Sequence, residues 1–95
     1  MYKSPSRLSE SARQKVSETL NARLVDGLDL HSQIKVAHWN IKGKGFASFH
    51  PLFEQFAVSL ANHHDSIAER AVTLGAQVYG TTRYVAAKSR LTEYP

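Results

Sequence analysis

The chain contains no cysteine. That single absence removes disulfide scaffolds, thiolate zinc sites and cysteine nucleophiles together, and it is what a reducing cytoplasm permits. No apolar run approaches the length of a membrane span, so no membrane partner is expected. The first residues, Met1-Tyr2-Lys3-Ser4-Pro5-Ser6, lack the apolar stretch of a signal peptide. The expected location is therefore cytoplasmic. Like charges never gather into a block of five, and no internal repeat is evident.

What is present fits one small helical domain. The 95 residues are 42% hydrophobic, enough for a packed core and far from a disordered composition. The net charge of +4 is compatible with nucleic acid, but the basic residues are scattered along the chain. Residues 1–8 read as a flexible polar tail, because Pro5 and two serines disfavour an early helix. Ser11 and Gln14 fit a capping box, with Ser9 as the rival start. Val16, Leu20, Leu24 and Leu28 then recur every four residues, continued by Val25, Ile34, Ala37 and Ile41. This spacing predicts an amphipathic helix of roughly 30 residues. Gly27 inside it predicts a close helix contact. Gly43-Lys44-Gly45 predicts a left-handed cap and a tight reversal. Ser48 is the expected N-cap of a second helix, with Pro51 at its third position. Leu52, Phe53, Phe56, Leu60, Ile67, Ala68, Ala71 and Leu74 carry that helix to near Gly75. Gly80-Thr81-Thr82 reads as a turn and N-cap for a short helix to about residue 88, followed by a loop. The expected fold is all-α: residues 9–95 form a long antiparallel hairpin plus a short third helix. A hairpin of this size buries too little apolar surface to stand alone, so at least a dimer is expected.

Four residues of the second helix make a pattern that core packing does not require. His50 and Glu54 are four apart, as are Asp65 and Glu69, and eleven residues separate the pairs. On one helix all four point to nearly one side. His38 lies just upstream across the glycine turn, beside His50 rather than Glu69. An imidazole and carboxylate stripe of this kind suits iron, zinc or manganese better than calcium or copper(I). Glu54 and Asp65 stand ~16 Å apart along the axis, so one chain cannot close a single site around all of them. Two half-sites per chain follow. A two-fold partner lying antiparallel would bring Asp65 and Glu69 of one copy to His38, His50 and Glu54 of the other. The plain alternative is a solvated charged face. His63 and His64 point about 100° apart and read as surface or supporting residues. His31 is too far along the axis to share an ion with His38. Trp39 by itself reads as a large buried side chain.

Three ordered blocks resemble the Dps family, the DNA-binding mini-ferritins of starved cells. They are Asp29-Leu30-His31-Ser32-Gln33-Ile34-Lys35-Val36-Ala37-His38-Trp39-Asn40-Ile41-Lys42-Gly43, Phe49-His50-Pro51-Leu52-Phe53-Glu54, and Asp65-Ser66-Ile67-Ala68-Glu69-Arg70-Ala71, followed by Leu74-Gly75 and Gly80-Thr81-Thr82. The resemblance implies a ferritin-like fold and an inter-subunit ferroxidase centre. His38, His50 and Glu54 would come from one subunit, Asp65 and Glu69 from its mate. Glu54 stands where many relatives have Asp. The family binds pairs of Fe(II) ions and oxidises them, preferentially with hydrogen peroxide, inside a twelve-subunit cage. It also implies a radical-quenching role for Trp39. Zinc is the expected substitute for iron. The family's four-helix bundle has two further long helices, and this chain stops at Pro95, about where the third long helix begins. It therefore reads as half a bundle, with an apolar face left for a partner. Two other readings compete: a DNA-binding nucleoid module resting on Lys3 and Arg7, and a self-assembling helical protein with idle carboxylates.

Overall fold

The structure is a computed structural model that describes all 95 residues. It consists of α1, Glu10–Asn40, α2, Phe46–Thr73, and α3, Thr82–Lys88, with no strand. α1 and α2 run antiparallel along each other, and α3 packs on α1. The predicted hairpin and short third helix are both present.

The helix starts differ from the sequence reading. α1 begins two residues earlier than a Ser11 cap would set it: Ser9 is its N-cap, with Oγ accepting from the Ala12 amide at 3.2 Å. That choice puts Glu10 in the first turn, where its charge favours the N-terminal end of the dipole. α2 begins at Phe46 with Gly45 as N-cap and no side-chain cap, so Ser48 lies inside the first turn. Of the two turn glycines only Gly43 is left-handed, at φ +90°. Pro51 consequently sits at the sixth helical position rather than the third. Its absent N–H leaves the Ala47 carbonyl without its usual donor, a defect the helix tolerates near its start.

The other end of α2 closes by a Schellman motif. Ala76 N–H donates to the Ala71 carbonyl at 3.0 Å and Gly75 N–H to Val72 at 2.9 Å. Gly75 takes φ +91° there, which strains any residue with a Cβ. The residues before α1 form no helix, yet they are tied to this end. Tyr2 N–H donates to the Gly75 carbonyl at 2.7 Å, and Ser4 Oγ bonds the Thr73 carbonyl. Arg13 reaches the Leu74 carbonyl at 2.9 Å. Thr81 caps α3 by accepting from Tyr84 N–H. Beyond α3, Arg90 clamps Asp26 through its Nε at 2.7 Å and its backbone N–H at 3.0 Å. That backbone bond, chiefly, holds the Asp26 carboxyl below its ordinary range.

The interior is small. Leu24, Val25, Ala57, Ala71 and Leu74 are its buried apolar residues. Much of the predicted apolar stripe stays in solvent, including Val16, Leu52 and Phe56. The molecule is a rod of 54 × 23 × 16 Å with a radius of gyration of 16.2 Å. A compact chain of this length would have about 12 Å. Its accessible surface is 6924 Å², against about 5,500 Å² for a compact monomer of this mass. Exposed side chains such as Phe49, Phe56 and Val58 contribute to that excess.

Gly27 has the close contact its position suggested. A Cβ there would lie 2.7 Å from Nε2 of His64, so the missing side chain is what lets α2 set an imidazole against α1. Gly27→Ala should lower stability by roughly 1–3 kcal/mol through overpacking. In a His64→Ala background the same change should instead add up to about 1 kcal/mol, the helix preference of alanine over glycine. Chemical denaturation of the four proteins checks the change of sign.

Candidate metal centre

The hairpin turn brings His38 and His50 face to face. Their rings stack at 3.7 Å between centroids, and Phe46 stacks on His50 at 4.7 Å. Each ring bonds the other residue's backbone. Nδ1 of His38 lies 2.6 Å from the His50 carbonyl, and Nδ1 of His50 lies 2.9 Å from the His38 carbonyl. A carbonyl oxygen can only accept, so both Nδ1 atoms carry the proton. The His38 carbonyl belongs to the last turn of α1, where helical carbonyls lack intrahelical donors. His50 supplies the missing donor. In its neutral form each imidazole is thereby fixed in one tautomer, with the lone pair on Nε2.

That lone pair meets a carboxylate. Nε2 of His38 is 3.3 Å from Oε2 of Glu54. Two acceptors at this distance repel unless a proton or a cation joins them. A cation is at hand: Nζ of Lys35 lies 2.6 Å from the same Oε2. The Lys35 hydrogen bond is the main reason the Glu54 carboxyl is held below its ordinary range, with partial burial opposing it. Lys35 also lies 5.9 Å from the centroid of Trp39. Trp39 itself is 66% exposed, so within one chain it is not the buried side chain that its type suggests.

His38, His50 and Glu54 therefore share one end of the hairpin. Asp65 and Glu69 do not join them. Both are exposed on α2, eleven residues or ~16 Å further along the axis. Neither carboxylate makes an ion pair within the chain. No three His, Asp or Glu side chains of a single chain are grouped closely enough to hold an ion. The donors at the turn are of the right chemical kind for a transition metal, and they are too few by themselves.

Lys35 escaped the sequence reading. Its position three residues before His38, on the same helix face, was the available signal. His64 differs as well: it is buried rather than superficial. Its Nε2 sits against Gly27 without a well-formed hydrogen bond, and His31 meets its ring edge-on at 5.9 Å. His63 is exposed and bonds the Ser59 carbonyl through Nδ1 at 2.7 Å. A cavity of about 800 Å³ is lined by none of these residues. It opens between the first half of α1, the α2–α3 connection and α3, beside Tyr79 and Tyr84.

Burial is the main cause that depresses the His64 pKa; nearby His31 and His63 add to it, while the Gly27 backbone and Asp65 oppose it. The folded state thus favours the neutral ring, and the unfolded state binds the extra proton. Stability contributed by His64 is complete above the ordinary histidine value of about 6.5 and falls as the pH drops through and below it. In the presence of a chelator, denaturation midpoints should fall between pH 7 and pH 5. His64→Leu should flatten that slope whatever it does to the midpoint at pH 7.

Comparison with known proteins follows the fold. The ferritin-like domain family model matches residues 17–94. The chain is 38% identical over 94 residues to the DNA protection during starvation protein of Agrobacterium fabrum, covering 99% of this chain and 58% of that one. Among solved structures it is similar to DpsC from Streptomyces coelicolor, with a TM-score of 0.93 and 31% identity over 98% of this chain and 54% of that one. It also resembles the Dps protein of Vibrio cholerae O1, a member of a broad superfamily of ferritin-like diiron-carboxylate proteins, with a TM-score of 0.88 and 28% identity. That match covers 95% of this chain and 57% of the Vibrio chain. The chain spans a little over half the length of these relatives.

Proposed function

The chain belongs to the ferritin-like domain family, and from that premise we propose that it binds Fe(II) at a di-metal centre shared between two copies and promotes its oxidation. The observation that carries this reading is the turn-end geometry. Two imidazoles are locked by backbone bonds with Nε2 bare, and one of them confronts a carboxylate oxygen at 3.3 Å. Such an arrangement sets imidazole nitrogen and carboxylate oxygen side by side, the donor types that a divalent transition metal takes. In a two-fold pairing, the exposed Asp65 and Glu69 of the mate supply the carboxylates that this end lacks. One isologous contact then makes two equal centres.

Iron in this scheme is the substrate. Two Fe(II) ions give hydrogen peroxide one electron each, which cleaves its O–O bond to two hydroxides and leaves two Fe(III) without releasing hydroxyl radical. The chain's own residues bind and orient. His38 and His50 present nitrogen donors, and the carboxylates neutralise charge that grows on oxidation. The exposed Trp39 stands next to His38, where an escaping radical would meet it. Zinc is the redox-inert stand-in for the same ligands. A nucleic-acid role has the two exposed cations Lys3 and Arg7 behind it, on a segment tied to α2 by Tyr2 and Ser4.

Complementation tests the shared centre. The protein should bind Zn(II) saturably in a calorimetric titration, and His50→Ala and Asp65→Ala should each lose most of that binding. Mixed in equal amounts and allowed to exchange, the two variants form mixed dimers half the time, and each mixed dimer keeps one of its two centres. About one quarter of the wild-type sites should return. No recovery after verified exchange would place any binding within one chain and defeat the proposal.

A further inference from the structure

We propose that Lys35 is a built-in counter-cation of this centre: its ammonium occupies the Glu54 oxygen that an incoming divalent ion must take, so loading is an exchange of one cation for another. This rests on the shared-centre reading above and adds to it a residue that governs which cations enter.

The geometry singles out one oxygen. Oε2 of Glu54 is 2.6 Å from Nζ of Lys35 and 3.3 Å from Nε2 of His38, and no protein group bonds Oε1. An ion bound jointly by Glu54 and the bare Nε2 of His38 would need the place beside Oε2 that the ammonium now fills. Lys35 and His38 are three apart on α1, so both side chains rise over the same turn. An exposed lysine–glutamate pair is ordinarily of little consequence. This one differs in two respects. Lys35 is half-buried, its side chain 26% exposed, and it shares its acceptor with a histidine. The displaced ammonium also has a nearby resting place, because the Trp39 ring centroid is already 5.9 Å away. That is the outer limit of a cation–π contact, and a small swing of the lysine shortens it.

Exchange has a consequence for selectivity. Replacing the ammonium with a monovalent ion leaves the charge unchanged and loses a short, charge-assisted hydrogen bond. A divalent ion brings a second charge and inner-sphere bonds to imidazole, which repay the loss. Lys35 therefore filters out sodium and potassium while weakening divalent binding moderately. It also keeps Glu54 neutralised and oriented while the centre waits for metal. Lys35 is a specificity residue and takes no part in electron transfer.

Calorimetric titration with Zn(II) tests this without any turnover. Lys35→Met should bind Zn(II) roughly tenfold more tightly than wild type, the order expected on removing one competing charge from a partly exposed carboxylate. Lys35→Arg, which restores the competitor, should return affinity to near the wild-type value. Potassium chloride should weaken Zn(II) binding more in Lys35→Met than in wild type, because the monovalent filter is gone. If Lys35→Met fails to fold by circular dichroism, Lys35→Gln decides on the same criteria. Unchanged or weaker Zn(II) binding in the uncharged variant, with the wild type still binding saturably, overturns the role of Lys35 and leaves the centre standing. No saturable binding by wild type or variant overturns the centre and the role of Lys35 with it.

Discussion

The pair of crossed hydrogen bonds between His38 and His50 is the constraint on which the rest depends. Each imidazole finishes the backbone of the opposite helix: one caps a carbonyl left over at the end of α1, the other adds a second donor to a carbonyl early in α2. The same bonds register the two helices at the turn and choose the tautomer of both rings. Fold and chemistry are thus not separable here. Replacing His50 removes a donor that the end of α1 requires, and replacing either histidine removes a ligand of the proposed centre. The stacking of Phe46 on His50 extends the arrangement into a column of three rings and shields one side of it from water.

From that end the hairpin continues as a seam that is polar where most helix pairs are greasy. Lys35 and Glu54 bridge it next, then His31 meets His64 edge-on, and Gly27 makes room for the last ring. Few buried aliphatic side chains contribute: Leu24 and Val25 in the middle of α1, Ala57 and Ala71 on α2, and Leu74 just past its end. A protein that placed ionisable groups along its long helix pair gave up hydrophobic stabilisation there. The surface in excess of a compact monomer measures the same fact from outside. Apolar side chains that would ordinarily form an interior face solvent instead.

Much of this was legible beforehand, and the reasons are local. A four-residue recurrence from Val16 to Leu28 can only be a helix, and Gly43 and Gly75 punctuate it where a left-handed residue is needed. The spacing of His50, Glu54, Asp65 and Glu69 showed that one chain could not gather all four, and the axial separation follows from helical rise alone. Boundaries were less legible. Ser9 and Ser11 offer nearly equal caps, and the start at Ser9 has the added advantage of Glu10 in the first turn. Ser48 looked like a cap because Pro51 follows it, but the turn is shorter than that reading allowed. Lys35 and His64 were hidden for a different reason. Their roles arise from partners on the other helix, and spacing along one helix is silent about what lies opposite.

The two ends of the rod are built unlike each other, yet both are latched. Stacked rings hold one; at the other, the chain's first residues are stitched to the exit of α2 through Tyr2, Ser4 and Arg13. Helices usually begin to open at frayed termini. With both extremities fastened, opening from either tip must first break these bonds.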